Sequence, residues 1–472
     1  MNQNNFINNL FKKGEVTHKV YDKFTGEVLG EVPVAQLQDI EDSISGNLRA
    51  FEIMKNYPAG IRAGFLEKIH SLLKEQKEDF SRLIAKEAGK PISYARSEVN
   101  RALDNIKTGI RETYLFAGEQ IPMDYLNGQG KTAYTIRQAT GPVLAITPFN
   151  FPLNLALHKI IPAIAVGTSI TVKVPPQSPL TMLAFAELIK KAGLPAGAVN
   201  ILFTTNELSQ KMVEDDRWKI LSFTGSDRVG WKLKKLAGKK KVLLEMGGNA
   251  AAIVDSTADI QRAARKLVYG SFLNAGQICI STQRIFVEEK IKEEFLSYFL
   301  NETKKVKSGD IMDEEVINGS MISNEDVKRI DSWIKEALEQ GAELLAGGYI
   351  LDKKANVYAP TVLTKTHNKM KIFTEEAFAP VVLIESYKNF DEAIAQVNDS
   401  RYGLQAGVFS NHLPYIMRAQ KELEVGGVII NDVPGFRIDS MPYGGIKDSG
   451  MGREGAKYTM KEYTEPKLIV IG

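Results

Sequence analysis

The chain has 472 residues, 44% hydrophobic and 25% charged, an ordinary globular composition in a chain too long for one core, so two or three lobes are expected. Sixty Lys and Arg against 57 Asp and Glu leave a formal charge of +3, too weak a field to point to nucleic acid or an anionic membrane; small molecules or copies of the chain are the expected partners. A single cysteine excludes an intrachain disulfide, and with neither an apolar leader nor a run of about 18 uncharged apolar residues the expectation is a cytoplasmic protein.

Residues 17–34, THKVYDKFTGEVLGEVPV, alternate apolar and polar around Gly26 and predict a hairpin. From about 36 to 119 the spacing turns helical, as in FLEKIHSLLKEQKEDFSRLI, and predicts several amphipathic helices; TAYTIRQATGPVLAITPF returns to strand character. SITVKV is a strand, Ser178-Pro179 the cap and first turn of the helix TMLAFAELIKKAG, Gly193 and Pro195 its stop, and AVNILF the next strand. The helical NELSQKMVEDD, the strand KILSFTG, the helix SDRVGWKLKKLAG and the strand KVLLEMGG continue the alternation. It predicts a parallel, doubly wound sheet with ligands beyond the carboxyl ends of its strands. The lysines of WKLKKLAGKKK read as a solvated face at a helix C-terminus.

A second lobe opens near 248 with the helix DIQRAARKLVYGSF, in which Ile260, Ala263, Ala264, Leu267, Val268 and Phe272 share a face. Alternation resumes through RIFVEE, a long helix over 324–340 and VVLIESY. The closing GAKYTMKEYTEPKLIVIG ends in an apolar strand with no partner nearby in sequence. A bare edge is an aggregation liability, so this strand is expected to pair with another lobe or subunit. No internal repeat or low-complexity linker is found.

Four places carry chemistry. In KILSFTGS a buried strand ends at Gly225 and Ser226, which open a helix; Ser226 is either a plain N-cap or a hydroxyl aimed, with free backbone N–H groups, at a pyrophosphate. The one G-x-G-x-x-[GA] match, GQGKTA at 128–133, follows turn-like residues instead of a strand and carries no weight. Glu245 ends the apolar strand VLLEMGG, where α/β enzymes place reactive carboxylates. Cys279 lies on a turn between Ala275-Gly276 and the strand RIFV, which tilts the lone cysteine toward reactivity. Asn150, between phenylalanines and a proline in TPFNFP, is either a turn residue or an oxyanion donor. The five histidines are scattered without ligand spacing, so no metal is expected.

The stretches TPFNFP, FTGSDRVG, LEMGG, NAGQICIS, EEAFAPV, YGLQAGVF and MPYGGIKDSGMGRE together resemble the aldehyde dehydrogenase superfamily, in family order and over nearly the whole chain. The resemblance implies an α/β fold of two doubly wound lobes plus a small β oligomerisation element. A Rossmann-like cofactor domain would span 1–121 and 140–247, a catalytic domain 248–445, and bridging or oligomerisation strands 122–139 and 456–472, in a homodimer or homotetramer. It assigns Cys279 as nucleophile, Glu245 as the base that activates water, and Asn150 with the Cys279 backbone N–H as oxyanion donors. Cofactor contacts fall on Thr147, Phe149, Lys173, Gly225, Ser226, Glu376 and Phe378, and Glu454 matches a carboxylate near a proton path behind the active site. Phe151, Leu155, His158, Ile278, Ile280 and a residue near Phe436 are implied as the substrate wall. Arg437 either meets a polar or anionic substrate tail or belongs to a surface or interface ion pair.

Departures from the family pattern matter. The glutamate by which NAD-specific members hold the adenosine ribose is Pro176 here, so both NAD and NADP are expected to serve. Ala379 replaces a glycine, a mild change. Ile278 stands where phosphate-recognising members carry an arginine, which argues against a phosphorylated triose, and His158 replaces an arginine of succinate-semialdehyde members, which disfavours a dedicated dicarboxylate semialdehyde enzyme. The stretches ITPFNFPLN, AGQICIS and FRIDSMPYGG are most similar to the lactaldehyde-dehydrogenase-like branch. Oxidation of an aldehyde to the free acid is therefore the leading expectation. Coenzyme-A-acylating dehydrogenation is disfavoured by the presence of Glu245, and a catalytically silent cofactor-binding protein by the retained Cys279, Glu245 and Asn150.

Overall fold

A computed structural model describes residues 3–472 of the chain. Residues 1 and 2, which open the first expected domain, lie outside the described residues. The hairpin over Thr17–Tyr21 and Val28–Pro33 forms as expected, and the helical stretch resolves into Leu37–Met54, Ala59–Glu75, Lys77–Ala88 and Ile92–Leu115. Gly89, Gly167 and Gly193 each take a left-handed φ one residue past a helix, where a Cβ is unfavourable.

Two open sheets organise the rest. The first contains the parallel strands Val199–Leu202, Ile170–Lys173, Val143–Ile146, Ile220–Thr224 and Lys241–Glu245 in that spatial order. The chain enters at the centre and winds outward both ways, so a crevice opens at the switch point between Val143–Ile146 and Ile220–Thr224. The second contains Thr361–Thr364, Val381–Tyr387, Arg284–Glu288, Ala251–Val254, Gln405–Phe409 and Gly427–Ile430 in parallel, with Glu343–Ala346 antiparallel at one edge. Helices cover both faces of the first sheet. Its strands Val143–Ile146, Ile170–Lys173 and Val199–Leu202 are accordingly buried at every position, so they read as continuous apolar runs instead of alternating ones. Phe185, fully buried on the helix Leu180–Ala192, typifies this core; trimming such a ring to alanine costs about 3–5 kcal/mol.

The apolar C-terminal strand Thr464–Ile471 pairs in antiparallel register with Thr132–Ala139, from Thr464 opposite Ala139 to Ile471 opposite Thr132. Gln120–Ile121 completes a separate three-stranded sheet. GQGKTA thus spans a turn and the start of a strand in this small sheet, far from any strand-to-helix phosphate loop.

The structure departs from the sequence reading in four places. The Ser178 hydroxyl does not cap its helix; it donates to the Phe149 carbonyl at 3.1 Å, and the buried Glu87 carboxylate instead accepts from the N–H groups of Leu180 and Thr181 at 2.8 and 2.9 Å. A carboxylate brought from another helix satisfies two orphan donors at once, which a local serine cannot. Lys240 is not part of a solvated face: its side chain is buried, with the ammonium 3.2 Å from the Ala237 carbonyl. The N-terminal strands Asn5–Ile7 and Leu10–Lys12 extend one edge of the first sheet, where no strand was read. At the other edge Gly450–Met451 pairs antiparallel with Lys241–Glu245, setting Gly450 opposite Glu245.

Candidate active site

The carboxyl ends of the first sheet line one wall of a cleft. Thr147 follows Val143–Ile146, its N–H donating to the Lys173 carbonyl at 3.2 Å. Lys173 ends its strand 5% exposed, with no hydrogen bond or ion pair to its ammonium among the described residues, and burial pulls its pKa down to about 8. The next turn is braced by His18 of the N-terminal hairpin, whose Nε2 lies 2.9 Å from the Pro176 carbonyl. Gly225 follows Ile220–Thr224, and its N–H donates to the Glu245 carbonyl at 3.1 Å. Ser226 occupies the N-cap position of Asp227–Leu236, yet its side chain makes no capping bond, which leaves the hydroxyl for another acceptor.

Glu245 is buried at the end of Lys241–Glu245, and its Oε2 has no hydrogen-bond partner among the described residues. Burial, and next the negative charge of Glu454, push its carboxyl well above the ordinary range. A Cβ on Gly444 would lie 2.7 Å from Glu245 Oε1, so glycine there lets the backbone close over the carboxylate.

The opposite wall comes from the amino ends of the second sheet. After the helix Ile260–Phe272, Asn274, Ala275 and Gly276 all take positive φ (56°, 54° and 66°) and reverse the chain. A Cβ on Gly276 would lie 2.1 Å from the Ala379 carbonyl. The Gln277 side chain locks the turn, donating to the Ser320 carbonyl at 3.0 Å and accepting from the Ile322 N–H at 2.8 Å. Cys279 follows, partly buried, its Sγ 2.9 Å from the Tyr443 hydroxyl; burial pushes its thiol up to about 11.

Asn150 reaches across the cleft and donates from Nδ2 to the Gln277 carbonyl at 3.0 Å, fixing its amide two residues from the thiol. Glu376 accepts from the Gly248 N–H at 3.0 Å, and a Cβ on Gly247 would fall 2.2 Å from its Oε2. Burial lifts its pKa to about 8. Phe149 and Phe378 meet edge to face with centroids 5.9 Å apart, Phe378 at a positive φ of 45°. The cleft therefore gathers Thr147, Phe149, Asn150, Gly225, Ser226, Glu245, Cys279, Glu376 and Phe378 between the two sheets, with Lys173 farther out along the first.

Behind the thiol lies a buried charged cluster. Lys159 donates to Glu454 at 2.6 Å and to the Thr224 hydroxyl at 2.8 Å. Burial would raise the Glu454 carboxyl, but the Lys159 charge, with that of Arg437, holds it low. Arg437 belongs to this cluster, not to the surface: its guanidinium lies 3.6 Å from the Tyr443 ring centroid and its Nη2 3.2 Å from His158 Nε2. His158 in turn sits 2.9 Å from Asp439, which also pairs with Arg101 at 2.8 Å. Burial, then the Arg437 charge, lower the His158 pKa, so the ring is neutral.

Phe151, Leu155 and Ile280 are buried and Ile278 partly so, with Lys90 3.8 Å from the Phe151 ring centroid and ion-paired to Glu98. Phe436 is 45% exposed. The sequence reading assigned no role to Tyr443, although MPYGGIKDSGMGRE contains it. Lys159 had a usable signal, since a cation inside the apolar run LALHKIIPAIAV requires a buried partner; Asp439 and Arg101 had none. Among the described residues no group of three or more His, Cys, Asp or Glu side chains is placed to hold a metal, and no helix is long and apolar enough to cross a membrane.

A family model, described as Aldehyde dehydrogenase family, matches residues 11–469. The 3-sulfolactaldehyde dehydrogenase of Priestia aryabhattai is 39% identical over 469 residues, 99% of this chain and 97% of the relative. Aldehyde dehydrogenase 21 of Physcomitrella patens, solved with the reaction product succinate, superposes with a TM-score of 0.96 at 39% identity, covering 99% of this chain and 98% of that one. The glyceraldehyde-3-phosphate dehydrogenase GapN of Methanocaldococcus jannaschii, solved with NADP, gives a TM-score of 0.92 at 37% identity over 96% and 98%.

Proposed function

The chain belongs to the aldehyde dehydrogenase family, and on that premise we propose that it oxidises a small aldehyde to its carboxylic acid with NAD or NADP, through a covalent adduct on Cys279. The observation that carries the reading is the meeting of a lone cysteine, an amide donor and an unpartnered buried carboxylate in one cleft.

The residues fit a dinucleotide. Among the described residues Lys173 is an ammonium without a partner and Ser226 a hydroxyl without a capping duty, and the Gly247 backbone leaves room at Glu376. Lys173 would meet the adenosine ribose, Gly225 and Ser226 the pyrophosphate, Glu376 the nicotinamide ribose, and Phe149 with Phe378 would flank the ring. When bound, NAD or NADP supplies the acceptor for the hydride that the tetrahedral carbon gives up as the thioester forms.

The protein's own residues do the rest. Glu245, whose burial raises its pKa and so its basicity, takes the Cys279 proton; the thiolate adds to the carbonyl carbon, and the Asn150 amide with the Cys279 N–H donates to the oxygen as it becomes negative. Glu245 then removes a proton from the water that cleaves the thioester, releasing acid and thiolate. Lys159, Glu454 and Thr224 form a polar route behind it for returning that proton.

For substrate, the names of the relatives point to short aldehydes bearing a hydroxyl or an anion. The test is a panel of lactaldehyde, sulfolactaldehyde, succinic semialdehyde and glyceraldehyde 3-phosphate with each cofactor, read at 340 nm, together with mass spectrometry of acid-quenched enzyme. An acyl adduct on Cys279 is expected; turnover without one, or no turnover on any member, overturns the proposal. Self-association in a homodimer or homotetramer is part of it, because the edge strand Thr464–Ile471 exposes Leu468, Val470 and Ile471; sedimentation as a monomer would refute that part.

A further inference from the structure

Within hydrogen-bond distance of the Cys279 sulfur stands a phenol that no step above uses. The Tyr443 hydroxyl lies 2.9 Å from Sγ, and among the described residues that is its only hydrogen bond. Tyr443 is 3% exposed and held on every side. Its N–H donates to the Glu454 carbonyl at 3.0 Å and its carbonyl accepts from the Glu454 N–H at 2.7 Å, an isolated antiparallel bridge. The ring packs with Ile280 and Leu404, and the Arg437 guanidinium covers one face.

We propose that Tyr443 is a catalytic residue whose phenolic hydroxyl donates a hydrogen bond to the Cys279 thiolate, holding the nucleophile charged and aimed before the aldehyde arrives. This rests on Cys279 being the nucleophile of the proposed reaction. The direction of the bond follows from the surroundings. Burial, and next the Cys279 charge, raise the Tyr443 pKa well above its ordinary value, so the phenol keeps its proton, and beside a thiolate, which has no proton to give, its hydroxyl donates. The cation on the ring face draws electron density from it and sharpens the O–H dipole. A thiolate in this partly buried place has lost some of its water, and a fixed donor replaces part of that solvation. When sulfur attacks, its lone pair forms the C–S bond and the carbonyl π pair moves to oxygen; the thiol proton has already gone to Glu245, and Tyr443 gives up a hydrogen bond but no proton.

The test does not need turnover. With one cysteine in the chain, alkylation by iodoacetamide reports Cys279 alone. In Tyr443→Phe, which keeps the ring under Arg437, the rising limb of alkylation rate against pH should move up by about one unit, so alkylation is about tenfold slower at any pH on the limb. Unaltered or faster alkylation overturns the proposal, since a hydroxyl that merely accepts from a resting thiol would slow the wild type instead. Quenching of protein fluorescence by NADP checks that the variant's cleft is intact. Should the phenylalanine variant lack it, site-specific 3-fluorotyrosine at 443, a stronger donor, should move the limb down, and no movement would refute the role. The limb is read without any aldehyde, so a chain that oxidises none of the panel fails the proposed function without deciding this result.

Discussion

The two open sheets share one architecture and are used from opposite ends. The first presents its carboxyl ends to the cleft, carrying Thr147, Lys173, Gly225, Ser226 and Glu245, as a doubly wound sheet is expected to do. The second presents its amino ends: Gly248 precedes Ala251–Val254, Cys279 precedes Arg284–Glu288, Glu376 and Phe378 precede Val381–Tyr387, and Leu404 precedes Gln405–Phe409. Its carboxyl ends are instead closed by local hydrogen bonds, among them the Ser256 N–H to Glu288 at 2.8 Å, the Asn411 amide to the Thr257 carbonyl at 2.8 Å and the Tyr387 hydroxyl to the Val254 carbonyl at 3.2 Å. A sheet's ends are thus not functional in themselves. What counts is which end another lobe faces, because only a facing wall excludes water from the groups between.

The division of labour this implies can be broken from either side. Cys279→Ala removes the proposed nucleophile of the second wall and should take aldehyde-dependent NAD(P)H formation below detection while leaving cofactor affinity, read by fluorescence quenching, within about twofold. Glu245→Gln disables the proposed base of the first wall. The steady rate should fall about 100-fold to 10,000-fold, and rapid mixing should show about one reduced cofactor per site if the burst still forms; an unchanged steady rate would place the base elsewhere.

The pH dependence sharpens the comparison. Glu245 works as a base only when ionised, and burial, then the Glu454 charge, raise its pKa, so thioester hydrolysis should fall about tenfold per pH unit as pH drops below that raised value. Glu454→Gln removes the repulsion and frees the Lys159 charge, both of which favour ionised Glu245, so the acid limb of single-turnover hydrolysis should shift to lower pH. A shift upward would refute this coupling. Toward the adenosine end, Pro176→Glu should turn selectivity toward NAD by about tenfold, or about 1.4 kcal/mol, measured as kcat/KM for both cofactors; no change would show that other residues decide the choice. The smallest effect is expected at the unused end of the second sheet. Glu288→Ala should cost about 1 kcal/mol of stability through the Ser256 bond, seen as a lower midpoint in urea, and leave kcat/KM unchanged.

Local signals carried much of this protein. Apolar runs bounded by Gly and Pro marked the strands, helical spacing marked the helices, and the order of elements predicted a doubly wound sheet, because backbone preference and burial pattern act over a few residues. The chemistry-bearing stretches were visible for the same reason: Cys279 on a turn and Glu245 at a strand end are local facts. Other features were hidden because their partners are distant in the chain. Ser178 looked like a cap, but Glu87 arrives from another helix to do that work. Arg437 looked like a substrate contact or a surface ion pair, but Tyr443, His158 and Glu454 surround it.

By itself, then, the sequence determined which segments are strands and helices, that the first lobe is doubly wound, and which residues are chemically able to react. The tertiary structure alone decided what those residues face. It pairs Gly450–Met451 with Lys241–Glu245 and so folds the 443–454 loop back over Glu245, setting Tyr443 on Cys279 and Glu454 on Lys159. No local pattern specifies such contacts between residues more than 150 positions apart. They exist because an edge strand must find a partner for its N–H and C=O groups, and the position of that edge depends on how the whole chain packs.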